Sequence, residues 1–161
     1  MTLCASFCVG TMLIAFENPL NENALVFPIL ECFHILGFAV TVGTIAMVDF
    51  RLLGFGLRRQ NPAELAKALA PWTLIGLVTV LLSGPMLFSS DPDMYYLNRS
   101  FQIKMVVLLL AIVFHYTARR KLLRGELSAD LSKMVAGISL ALWISVIFAG
   151  IFIAFVVTPE S

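Results

Sequence analysis

Four apolar stretches, about Ala24 to Phe50, Pro71 to Ser89, Phe101 to Ala118 and Met134 to Thr158, dominate the chain. At a rise of 1.5 Å per residue, a helix needs about 20 predominantly apolar residues to cross roughly 30 Å of hydrocarbon, and each stretch meets that length. Backbone groups in lipid must be satisfied within the segment, and a helix does this alone. The expected fold is therefore all-α: an integral membrane four-helix bundle.

Composition agrees with this reading. The chain is 60% hydrophobic, above the roughly 45–50% of soluble domains, and its mean hydropathy is +0.93. Charged residues make up 13%, about half the usual share, and nearly all lie between the apolar runs. No basic patch points to nucleic acid, so the lipid bilayer is the expected surrounding.

The first residues, MTLCASFCVGTMLIAF, are apolar but shorter than the usual 17–25 of a span. They read as an interfacial helix ended by ENPLNEN, which divides the chain into residues 1–23, an N-terminal helix and linker, and residues 24–161, the bundle. A cleaved signal peptide is not expected, because a basic n-region and an A-x-A-like site are missing. Cys4 and Cys8 lie at i, i+4 with Met12 four further on, a sulfur face that suits a soft metal or simple helix packing. With Cys32 they make no C-x-x-C motif.

Charge orients the bundle. Arg51, Arg58, Arg59, Lys67, Arg119, Arg120, Lys121, Arg124 and Lys133 fall in the two loops on one side, against Arg99 and Lys104 on the other. The positive-inside rule makes the first set cytoplasmic and places both termini on the outer, periplasmic side of a bacterial inner membrane. A fifth span at the N-terminus would put its first residues on the cytoplasmic side without a cation to hold them.

Short connections mark antiparallel neighbours. Asn61-Pro62 and Ala70-Pro71 are expected to restart helices, with proline in the first turn. SSDPDMYYLNRS forms the outer loop, turning at Asp91-Pro92 and anchoring Tyr95 and Tyr96 near headgroups. Ser128 is the expected cap of the last span. Pro85 should kink the second span and free carbonyls that Ser83 or neighbouring helices must satisfy.

The two histidines, His34 and His115, are the chain's complement of that residue and both fall inside apolar runs. Ionisable residues in a span are costly and mark a functional site by default. Two histidines on different helices suit a shared ligand, and haem b is the candidate, since imidazole is a common axial ligand and a bundle offers a slot between helices. Zinc would want three or four protein ligands, which the sequence does not supply nearby. Gly37, Phe38 and Thr41 share the face of His34, and Gly37 one turn away would let a flat macrocycle approach; ordinary small-residue packing explains the same glycine.

Lys104 lies eleven residues before His115, about 16 Å along a helix. Near the outer surface it is expected to snorkel, to pair with Glu31 or, with Arg99, to bind haem propionates. Depth measured from the outer ends puts His34 and His115 level; measured from the inner ends they differ by roughly 16 Å. His34 is the firmer ligand. Asp49 and Arg51 do not face each other on a helix and are expected to make separate contacts. The cluster Arg119, Arg120, Lys121 and Arg124 is explained by topology and anionic lipid.

These residues resemble known families. A span with H-x-x-G followed by an inner-surface Arg-Leu, a second span rich in Gly and Trp, and a third of the form K-(x)10-H resemble the haem-binding proteins related to membrane-type protoporphyrinogen oxidase and the copper-resistance inner-membrane family. ECFHILGFAVTVGTIAMVDFRLLG and SFQIKMVVLLLAIVFH also look like an uncharacterised family of small four-span bacterial inner-membrane proteins. The oxidase resemblance implies haem b, with His34 and His115 at the motif histidines and Lys104 at the motif lysine. It transfers no substrate.

The expected function is a membrane haem b protein transferring electrons, with quinone or a redox partner protein as the other party. The alternatives are haem-dependent oxidation of a porphyrinogen-like substrate, or a haem-free scaffold or accessory subunit. The glycines of the last span favour a homo-oligomer.

Overall fold

The computed structural model describes residues 24–56, 60–126 and 128–155. The expected N-terminal interfacial helix, with Cys4, Cys8 and Met12, lies outside them. The described residues form five helices: α1 Val26–Leu53, α2 Pro62–Ser90, the short α3 Pro92–Leu97, α4 Arg99–Leu123 and α5 Ala129–Phe152. Four of these, all but α3, are long and apolar enough to cross a membrane.

The helix starts follow local chemistry. Asn61 accepts from the Ala63 N–H and Pro62 sits in the first turn, so α2 begins nine residues before the expected Pro71. The helix then runs through Pro71 and Pro85, and Ala70-Pro71 is not a restart. Asp91 accepts from the Met94 N–H, which turns the expected simple loop into α3. Asn98 caps α4 through the N–H groups of Ser100 and Phe101, and Ser128 caps α5 through that of Leu131, as its sequence position predicts. At the other end α4 continues to Leu123, past the expected Ala118.

The arrangement of polarity is that of a bundle in lipid. Ile29, Phe33, Leu36, Ile75, Leu82, Leu109, Leu110 and Phe148 point outward, while Thr41, Asp49, Thr73, Ser83 and Ser139 are buried. Lipid does not drive large apolar side chains inward, so small and polar residues that pack closely and hydrogen-bond across helices take the interior. A central apolar cluster remains: Ile45, Leu108, Ala111, Trp143 and Val146, with Phe38 against the Trp143 ring at 6.2 Å between centroids.

The closest approach is between α1 and α2. A Cβ on Gly76 would stand 2.6 Å from both the Gly37 carbonyl oxygen and Thr41 Oγ1, and one on Gly37 would stand 2.9 Å from Thr79 Cβ. Only glycine permits that contact. The α4–α5 pair is also well packed and α5 rests on α1, whereas α2 and α4 meet loosely. The aromatic rings of Phe88, Tyr95 and Phe101 tie α2, α3 and α4 together at the end opposite the basic loops. Asn98, 1% exposed, donates from Nδ2 to the Ile153 carbonyl and ties the same end to α5.

Candidate functional site

The buried stripe of α1 runs Gly37, Thr41, Ile45, Asp49, each four residues from the last, and His34 begins it one turn earlier. This spacing keeps all five on one side of the helix. The stripe meets α2 along most of its length.

In the half away from the basic loops, His34 Nδ1 lies 2.8 Å from Ser83 Oγ. The Ser83 hydroxyl donates in turn to the Thr79 carbonyl at 2.6 Å, so its single proton is committed. Ser83 must then accept from His34, which puts the imidazole proton on Nδ1 and leaves the Nε2 lone pair for a ligand. Gly84 keeps the space beside the ring open: a Cβ there would lie 3.5 Å from His34 Cε1. Lys104 on α4 is near enough to act electrostatically on His34, and its Nζ rests against Gly150 of α5.

Several expected placements differ. Gly37 faces Gly76 and Thr79, so a helix, not a macrocycle, makes the close approach there. Thr41 donates to the Gly37 carbonyl and is packed in the same contact. Lys104 does not pair with Glu31; Glu31 is exposed, close enough to influence Tyr95, while Lys104 turns into the bundle. Arg99 lines a surface groove with Gln102 and Ile103. Five residues separate it from Lys104, about 140° around the helix, so the two cations point different ways.

His115 lies deeper toward the end that carries the basic loops. It borders a small cavity of about 40 Å³ together with Thr44, Asp49, Thr73, Arg119 and Ser139. His34 is beside Lys104, and His115 is a further eleven residues along α4, about 16 Å. The histidines therefore occupy two sites at different depths. Between them runs a line of hydroxyls on the α1–α2 seam, with Thr44 Oγ1 and Thr73 Oγ1 2.9 Å apart.

Tested against haem, the two sites differ. At His34 the donor chemistry fits: a fixed Nδ1–H, a free Nε2, a glycine beside the ring, a nearby cation and the loose α2–α4 seam. At His115 the cavity has room for about three waters and none for a macrocycle. Among the described residues, no group of three or more His, Cys, Asp or Glu is placed to hold a metal ion.

Asp49, Arg119 and Ser139 are the site residues that topology and charge counting pass over. Asp49 was legible in the stripe, because extending His34, Gly37, Thr41 and Ile45 by one more turn reaches it.

Fold and site together define a small multi-pass membrane protein of four spanning helices with polar groups along its interior. The chain belongs to DUF6644, a family of unknown function, whose model matches residues 25–156 and so takes in all five helices. No curated protein and no solved structure matches it.

Proposed function

We propose that this protein binds haem b through His34 and transfers electrons within a bacterial inner membrane. The observation that carries the reading is the His34–Ser83 hydrogen bond, which fixes the imidazole in the tautomer that a metal ligand needs. The resemblance of H-x-x-G and K-(x)10-H to haem-binding membrane families supports it.

In this reading His34 Nε2 would hold the haem iron and Ser83 would hold the ring. Lys104 provides a positive charge beside the site, suited to a propionate. Bound there, haem b supplies one-electron exchange. His115, in its small cavity, is left out of this ligand set. Quinone or a redox partner protein is the proposed electron partner. The basic loops face the cytoplasm by the positive-inside rule, and the protein self-associates.

The test is a reduced-minus-oxidised spectrum of protein made under haem-replete conditions. A Soret band is expected, lost in His34→Ala and kept in His115→Ala. Absence of the band in the unaltered protein overturns the reading in favour of a scaffold. Porphyrin fluorescence stimulated by added protoporphyrinogen would favour an oxidase over an electron carrier.

A further inference from the structure

All four long helices converge on the cavity beside His115, and two of its polar atoms lack partners. Asp49, 5% exposed, turns one side of its carboxylate toward the Ser139 hydroxyl, and its Oδ2 has no hydrogen-bond partner among the described residues. Arg119 Nε, across α4, is likewise buried and unpartnered. Both residues line the same cavity of about 40 Å³, together with the Thr44 and Thr73 hydroxyls. They do not meet as an ion pair, unlike Arg124 and Glu126 in the loop.

The chemistry of the two atoms selects the occupant. Asp49 Oδ2 accepts and Arg119 Nε donates, so whatever satisfies both must donate at one end and accept at the other. A cation would meet the guanidinium and an anion the carboxylate, which leaves a neutral amphiprotic molecule. The volume sets its size, room for about three waters.

We infer that this cavity is an internal water site, in which bound water bridges Asp49 Oδ2 on α1 to Arg119 Nε on α4. The bridge links α1 and α4, two helices that run in the same direction, at the end that carries the basic loops. It gives the apolar bundle a hydrated chamber, into which the His115 imidazole and the Ser139 hydroxyl also open. The site is independent of haem at His34.

X-ray radiolytic footprinting of the full chain in lipid nanodiscs tests this directly. Radicals form from the water itself, so a buried side chain is oxidised only where water is bound beside it. Ile45, 3% exposed and lining the chamber, is expected to be labelled several-fold faster than Val146, 0% exposed in the dry core. Equal rates at the two positions overturn the water site. As a second measurement, Asp49→Asn keeps the side-chain shape and removes the charge, and Arg119→Gln removes Nε with the guanidinium. Each is expected to lower the melting temperature, with the double variant recovering part of the combined loss, whereas simple addition of the two shifts would mean that no bridge couples them. Should the variants not accumulate, the footprinting of unaltered protein decides alone.

Discussion

His34 donates from Nδ1 to the Ser83 hydroxyl across the α1–α2 seam at 2.8 Å, and Ser83 donates in turn to the Thr79 carbonyl. The relay runs one way. It sets which imidazole nitrogen can bind a metal, and it comes from a residue 49 positions away in sequence.

Ser83→Ala removes the acceptor without touching the ligand. In the haem reading, affinity is expected to fall about 10–100-fold, the usual effect of losing a ligand's hydrogen-bond partner. Haem titration followed at the Soret band measures it. A shifted midpoint potential in the residual complex would mark Ser83 as positioning the ring. Unchanged affinity and potential would mean that the hydrogen bond only joins the helices.

Gly76→Ala places a Cβ within 2.6 Å of the Gly37 carbonyl and Thr41 Oγ1, both rigidly held. The helices must move apart, at a cost of about 1–3 kcal/mol. Thermal unfolding in detergent should show the loss. Gly43→Ala is the control: nothing lies within 4 Å of its Cβ position, and alanine is the better helix former. It should match or exceed the unaltered protein.

The pattern of apolar runs made the four spans legible because hydrophobic length is a property of the chain alone. Helix ends were less so. Asn61 with Pro62 competes with Ala70-Pro71 as a start signal, and the structure uses the first because the Asn61 side chain caps it and a proline within a span is tolerated. His34 was legible as an intrusion into an apolar run. Its partner was not: Ser83 was visible as a residue beside Pro85, but its pairing with His34 depends on the register of α1 against α2, which is set by the Gly37–Gly76 contact. Arg119 was hidden for a different reason. Its place in a basic cluster already had a sufficient explanation in topology, although it alone among those residues turns an unpartnered nitrogen into the bundle.

Asn98 has two separable roles. Its Oδ1 caps α4 and its Nδ2 donates to the Ile153 carbonyl at 3.0 Å. Asn98→Ser keeps a capping oxygen and removes the amide donor without burying a charge; Asn98→Ala removes both. The alanine variant should lose about 1 kcal/mol more, the value of a capping side chain, in the same unfolding assay. Equal losses would assign the whole effect to the tie with α5.

Tyr95, in α3 outside the spans, has its hydroxyl held above the usual tyrosine range first by burial, then by the charges of Glu31 and Asp91. A raised value means that the folded state keeps the proton longer than the unfolded chain. Tyr95 therefore destabilises the fold as pH rises past the ordinary tyrosine range, and has no effect at neutral pH. Glu31→Gln removes one negative charge and should move the phenolate transition to lower pH. Ultraviolet titration, with Tyr95→Phe to assign the band, measures the shift, and an unmoved transition would leave burial and the Asp91 charge as the causes.

The orientation of the bundle rests on the basic residues of the α1–α2 and α4–α5 loops, and it can be read with single cysteines. In a chain carrying Cys4→Ala, Cys8→Ala and Cys32→Ala, Asp93→Cys marks the α2–α4 side and Glu126→Cys the opposite loop; both positions are exposed. If the positive-inside rule governs, a membrane-impermeant maleimide should label Asp93→Cys in intact cells and reach Glu126→Cys only after lysis. The reverse pattern would turn the protein over. It would then place His34 nearer the cytoplasm and the water-bridged Asp49–Arg119 chamber nearer the outer face, so the same labelling decides from which side each polar site is approached.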